Sequence, residues 1–168
     1  YFSSDAGESW IFKYEFPQFT GSYEIDFIND SVGLVANAYN LFSTTNAGND
    51  WILLTDTLGS ANNISYYDEN LIFISASKGL EYLYKSTDEG TTWYISNEFG
   101  SLDPSRFGKV QMFNQNEGIL SLSFSTIIAV SSLLKTTDAG DSWDSFGNGF
   151  IFTFGLTDFE FLSEQNGW

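Results

Sequence analysis

Four copies of one polar phrase punctuate this sequence: "SSDAGESW" at 3–10, "TTNAGNDW" at 44–51, "STDEGTTW" at 86–93 and "TTDAGDSW" at 136–143. The recurring residues are Ser3, Asp5, Gly7 and Trp10; Thr44, Asn46, Gly48 and Trp51; Ser86, Asp88, Gly90 and Trp93; and Thr136, Asp138, Gly140 and Trp143. Carboxylates could do two kinds of chemistry here. Clustered, they could hold calcium: "DAGDSWD" offers Asp138, Asp141 and Asp144, but without the dense alternation of oxygen ligands that a calcium loop uses. Facing each other across a cleft, two could act as acid and base in glycoside hydrolysis. Asp26, Asp56, Asp68, Asp103 and Asp158 lie outside the four phrases, and with 22 acids in the chain no pair stands out. Each reads as a solvated surface group. No catalytic residue, metal site or cofactor is expected.

Composition removes other chemistries. The chain has no Cys and no His, so disulfides, thiol catalysis, zinc ligation by these residues and histidine acid–base steps are excluded within it. Its 22 acids against six bases give a formal charge of −16. Such a surface repels phosphate backbones and anionic lipid, which argues against nucleic acid and membrane surfaces as partners. No stretch is long and apolar enough to span a bilayer, so no membrane insertion is expected. Seventeen Phe, nine Tyr and five Trp suit half-buried sheets.

The elements that position the phrases follow from their spacing. Trp10, Trp51, Trp93 and Trp143 are 41, 42 and 50 residues apart, a period that signals a repeat architecture. Between phrases run short alternating segments such as "YEIDFIN", "VGLVAN", "NLFSTT" and "WILLTD", bounded by Gly, Asn, Asp and Ser. Four antiparallel strands per unit predict an all-β fold built of β-propeller blades. Each phrase then sits between the third and fourth strands as a hairpin clasp. Its Asp or Asn accepts from backbone N–H groups about two residues on, its Gly permits positive φ, its Ser or Thr ties the turn, and its Trp packs over it.

The pattern S/T-x-D-x-G-x-x-W resembles the Asp-box, or BNR, repeat over the whole chain. Sialidases, xyloglucan-cleaving glycoside hydrolases, sortilin-type receptors, photosystem II assembly factors and many bacterial secreted or surface proteins are built on that repeat. The resemblance implies that the motif is structural and lies away from any active site. Sialidases of this kind hold their substrate with three arginines, whereas this chain has Arg106 alone. The assembly factors are similar in repeat length and in phrases such as "FINDSVGLVAN", but as a family they carry a basic patch, from which a charge of −16 departs.

The register predicts one propeller segment over 1–168: a partial blade 1–20, blades 21–60, 61–103 and 104–153, and a partial blade 154–168. It opens on a third strand and closes with a first strand and the start of a second, as expected for part of a larger ring to which further blades of the same chain belong. The clasps occupy one edge of each blade, which leaves the opposite edge for a partner. From Gly118 to Trp143 there are 25 residues against 18 from Gly33 to Trp51, and the additional residues fall around "SFSTIIAVSS" on that opposite edge. They either lengthen a hairpin or present an apolar tip; in the second case Arg106, Ile127, Ile128 and Val130 form a partner surface. The aromatic sets "SYY" (65–67) and "EYLY" (81–84) could stack on sugar, although strand alternation accounts for them. The resulting expectation is a non-catalytic scaffold, extracellular or on a bacterial surface, that contacts protein or glycan. The alternative is a fragment of a glycoside hydrolase.

Overall fold

A computed structural model describes residues 1–16, 23–99, 105–125, 129–146, 159–163 and 166–167. Among these residues there is no helix. The first sheet comprises β1 (Glu24–Phe27), β2 (Gly33–Ala36), β3 (Leu41–Thr44) and β4 (Ile52–Thr55). The second comprises β5 (Ser60–Tyr66), β6 (Ile72–Ser77), β7 (Glu81–Ser86) and β8 (Tyr94–Phe99). The third comprises β9 (Ser105–Met112), β10 (Gly118–Ser125), β11 (Ala129–Thr136) and β12 (Asp144–Ser145). Each is an antiparallel meander in chain order. The short pair β13 (Phe161–Ser163) and β14 (Asn166–Gly167) follows, and at the other end Phe2 bridges Ile11 in antiparallel fashion.

The sheets fan out from a common inner edge, since β1 lies beside β5 and β5 beside β9. The second strands are therefore covered on both faces. All four residues of β2 are buried, and Ile72, Phe73, Ile74 and Ala76 of β6 are buried likewise. Alternation within each strand sends one set of side chains forward and the next set back. Leu34 and Leu41 of the first sheet meet Ile64, Ile72 and Ile74 of the second. Phe73 and Leu83 of the second meet Val110, Leu120 and Leu134 of the third. Ile119 and Leu133 of the third meet Phe159. Each such buried side chain contributes roughly 1.5–3 kcal/mol of hydrophobic stabilisation. The outermost strands behave differently: Ile52, Leu53, Tyr94 and Ile95 are exposed.

The register is repeated with fidelity. Phe27 lies opposite Gly33, Tyr66 opposite Ile72 and Met112 opposite Gly118; across the next pair, Gly33 faces Thr44, Ile72 faces Ser86 and Gly118 faces Thr136. A Cβ at Gly33 would lie 2.7 Å from the Phe27 ring, so a larger residue there requires that ring to move, whereas the second blade carries Ile72 at this place opposite Tyr66.

Candidate functional site

The clasp is the feature that recurs, and its polar groups are committed to one another. In the third sheet the Thr136 hydroxyl donates to Asp138 Oδ1 (2.8 Å) and accepts the Gly140 N–H (2.8 Å). Asp138 Oδ1 also accepts the Ser142 N–H (2.9 Å), and its Oδ2 accepts the Ser142 hydroxyl (2.6 Å). The same set links Ser3, Asp5, Gly7 and Ser9 in the first clasp, and Ser86, Asp88, Gly90 and Thr92 in the third. The carboxylate thus reaches four residues on, a longer span than the two-residue turn predicted. The residue before each glycine, Ala6, Ala47, Glu89 or Ala139, takes a left-handed φ of 57–60°, and the glycine follows at 75–90°. Thr136 is buried, so Thr136→Ala strips the Gly140 N–H of its acceptor and is expected to cost about 1–3 kcal/mol in urea unfolding, whereas Thr136→Ser is nearly neutral.

The Asn46 clasp keeps the geometry with the polarity reversed. Asn46 Oδ1 accepts the Asp50 N–H (2.9 Å), and Asn46 Nδ2 donates to Asp50 Oδ2 (2.9 Å). An amide thus replaces the carboxylate, and an acid replaces the hydroxyl residue. Hydrogen bonds from Ser9, chiefly its hydroxyl, hold Asp5 down at a pKa of about 2, and Ser142 does the same for Asp138. Thr92 lowers Asp88 in the same way. A carboxylate depressed on folding contributes stability above its ordinary pKa near 3.8 and loses it as the pH falls towards about 2. Carboxyl carbon shifts in NMR should therefore show Asp5 and Asp138 titrating near pH 2, with loosening of their clasps in that window and none from Asn46.

The clasp also joins sheets. Trp10 and Trp93 donate their indole N–H to the carbonyls of Gly7 (3.1 Å) and Gly90 (2.9 Å) of their own clasps. Trp143 instead donates to the Ser96 hydroxyl of β8 (3.0 Å), and that hydroxyl donates to the Gly140 carbonyl. The Trp143 ring stands edge-on to Phe73 at 6.1 Å. Beside them the buried Lys85 of β7 pairs with Asp141 at 2.6 Å. The fourth clasp is thereby seated on the second sheet by a ring, a hydroxyl and an ion pair.

Acids outside the clasps have various fates. Asp68 closes the β5–β6 turn, its Oδ1 accepting the N–H groups of Asn70 (2.9 Å) and Leu71 (2.7 Å). Asn29 and Asn114 do the same in the β1–β2 and β9–β10 turns. This second recurrent turn escaped the sequence reading, although an Asn or Asp at one place after each first strand announces it. Backbone bonds from Ala47 to Ser31 (2.9 Å) and from Ala139 to Asn116 (2.8 Å) clip the two turns together on one edge. Asp56 is exposed, and Asp103 and Asp158 lie outside the described residues.

Among the described residues, Asp26 is one of two acids whose pKa burial raises. Its pKa is raised by desolvation, against the pull of the Phe27 N–H and of the Lys109 ammonium. Burial, aided by the Asp26 charge, raises the Tyr66 phenol well above its ordinary range. A carboxylate, a phenol and an ammonium from the three innermost strands thus form one electrostatic group. Glu24 is also raised by burial. Glu69 and Glu89, both exposed, border a separate cleft of about 230 Å³ between the first and second sheets at the clasp edge.

Among the described residues no three acids converge where a cation could sit. Asp138 is held by its own clasp and Asp141 by Lys85. Tyr66 and Tyr67 pack against the inter-sheet cores, and the Tyr82 and Tyr84 rings lie against each other in a tilted pair at 5.6 Å. Arg106 lies opposite Ser123 in β9, and Val130 opposite Phe124 in β11, which places both backbones at the end of the third sheet away from the clasp. Ile127 and Ile128 lie outside the described residues. The additional residues of this unit lengthen β10 and β11, which pair without interruption from Gly118–Thr136 to Ser125–Ala129.

No family model and no curated protein matches the chain. Solved structures do. YCF48 bound to D1 peptide aligns with a TM-score of 0.55 at 19% identity over 75% of this chain and 41% of its own. An α-L-arabinofuranosidase from Fusarium graminearum in complex with an iminosugar inhibitor aligns with a TM-score of 0.57 at 14% identity over 77% of this chain and 50% of its own. The fold is a partial β-propeller. The three sheets are its blades, their first strands form the inner wall, and the chain spans half or less of the length of either propeller neighbour. No helix in the described residues is long and apolar enough to cross a membrane.

Proposed function

We propose that this chain is an Asp-box propeller segment acting as a non-catalytic scaffold, outside the cell or on a bacterial surface, and that it presents the edge away from the clasps to a protein or a glycan. One observation carries the reading: the polar side chains that recur with the repeat are bonded to their own turns or to the adjoining blade. A hydrolase needs two carboxylates across a substrate, one of them held protonated. The burial-raised carboxylates, Glu24 and Asp26, share strand β1, while Glu69 and Glu89 flank a cleft elsewhere. YCF48, bound to a D1 peptide, illustrates a peptide held by a propeller and favours a protein partner. The second reading, a fragment of a glycoside hydrolase, draws on the Glu69–Glu89 cleft and on the arabinofuranosidase neighbour.

Binding to printed glycan and peptide arrays tests the first reading. Arg106→Ala combined with Val130→Ser should abolish the signal, and Thr136→Ser at the clasp edge should leave it. Loss with the clasp variant alone would place the partner on the wrong edge for this proposal.

A further inference from the structure

The joint between the first and second blades differs from the joint between the second and third by the side chains that fill it. In the later joint, Phe73 of β6 lies opposite Lys85 of β7, and both reach the third blade: the ring packs beside Gly140, and the buried ammonium pairs with Asp141. The third blade keeps a cation at this place, Lys135, which lies opposite Ile119 and pairs with Glu117 at 3.1 Å. The first blade does not. Its Leu34 lies opposite Ser43 at the same register. In the clasp of the second blade, Thr91 stands two residues before Trp93, as Asp141 stands before Trp143. Smaller or uncharged side chains thus take the places of the ring, the cation and its counter-ion. Packing is looser in consequence. A Cβ at Gly140 would lie 2.6 Å from the Phe73 ring, whereas at Gly90 the nearest atoms, of Leu54 and Trp93, are 3.4 Å away.

The room left over is the cleft of about 230 Å³ at the clasp edge. Every wall comes from residues 32–91, the facing sides of two consecutive complete blades. Leu34, Leu54 and Ile72 make it apolar, and Ser43 and Thr91 line it at the two places just compared. Two carboxylates border it. Glu69 is anchored across the joint by the Asn29 amide, which donates to its Oε1 (3.1 Å). Glu89 stands where the other clasps carry Ala6, Ala47 and Ala139. Among the described residues, no lysine or arginine lines the cleft.

We infer that this cleft takes the lysine side chain of a partner protein. The protein's own Lys85 is the precedent: at the equivalent place a buried lysine meets a carboxylate of the following clasp. A lysine joins a flexible apolar stem to a compact charge, which matches apolar walls below a mouth bordered by carboxylates. The formal charge of −16 favours the approach of such a partner. The contact lies on the clasp edge and shares no residue with the far-edge surface of Arg106 and Val130.

Amide NMR shifts of the intact protein, titrated with Nα-acetyl-lysine methylamide, test this. Saturable changes are expected at Ser43, Gly90 and Thr91, and the norleucine analogue, which lacks the ammonium, should produce none. Glu69→Gln and Glu89→Gln should each weaken binding by roughly two- to fivefold, the worth of an ion pair at an exposed mouth. Both residues are exposed, so these variants should keep the circular dichroism of the wild type. Ser43→Lys, which installs the cation that the other two blades carry, should fill the cleft and abolish binding. Arg106→Ala with Val130→Ser should leave binding unchanged, which separates this contact from the far-edge one. No saturable change at these amides, an equal response to norleucine, or undiminished binding by Ser43→Lys would overturn the inference. So would changes with n-butylammonium but not with the lysine amide, the mark of a site for a free amine.

Discussion

Phe73→Ala is expected to destabilise the protein by about 3–5 kcal/mol in urea unfolding, the range for truncating a buried aromatic ring. Phe73 is 1% exposed and lies in the core between the second and third blades. Its ring meets the Trp143 edge, and the Gly140 turn closes onto it. Truncation therefore removes apolar area, an aromatic pair and the seat of a clasp together. Because a domain of this size is held by only about 5–15 kcal/mol, the loss is a large share of the total. Phe73→Leu, which retains most of the volume, should recover more than half of it.

The second large effect belongs to a residue without a side chain. Gly140→Ala is expected to cost about 2–5 kcal/mol, from a left-handed backbone worth about 1–2 kcal/mol and overpacking worth about 1–3 kcal/mol. Gly140 has φ of +81°, and a Cβ built there falls 2.6 Å from the Phe73 ring. The first clasp separates the two causes. Gly7 has a similar φ of +90°, but a Cβ there would lie 3.8 Å from Trp10, an ordinary contact. Gly7→Ala should then show the backbone part alone. Thermal unfolding of both variants checks this, and equal losses would show that the contact with Phe73 contributes nothing.

Much of this architecture was legible in the residues. The Trp spacing and the alternating segments gave three four-stranded meanders, and the clasp sequence placed its hairpin between third and fourth strands. What stayed hidden was anything that depends on how blades meet. Lys85 reads as one more strand residue until the fan brings Asp141 to it from the next blade, and Ser96 is unremarkable until Trp143 turns its indole towards it. Asp26 looked like any of the other acids, because its burial and its electrostatic partners, Tyr66 of β5 and Lys109 of β9, come only with the fold and not with its own strand. The Asn46–Asp50 exchange was readable in principle: in the one clasp where the acid becomes an amide, the hydroxyl residue becomes an acid, since hydrogen-bond donors and acceptors must still match.

The measurement that bears most directly on the central claim, that the repeated polar groups hold blades and do no chemistry, is chromophore release from a panel of aryl glycosides, an α-L-arabinofuranoside among them. It should be run across pH with the wild type, Asp26→Asn and Glu69→Gln. The account predicts no release above buffer for any of the three at any pH. Saturable turnover by the wild type that disappears in Asp26→Asn or Glu69→Gln would contradict it and make the chain part of a hydrolase.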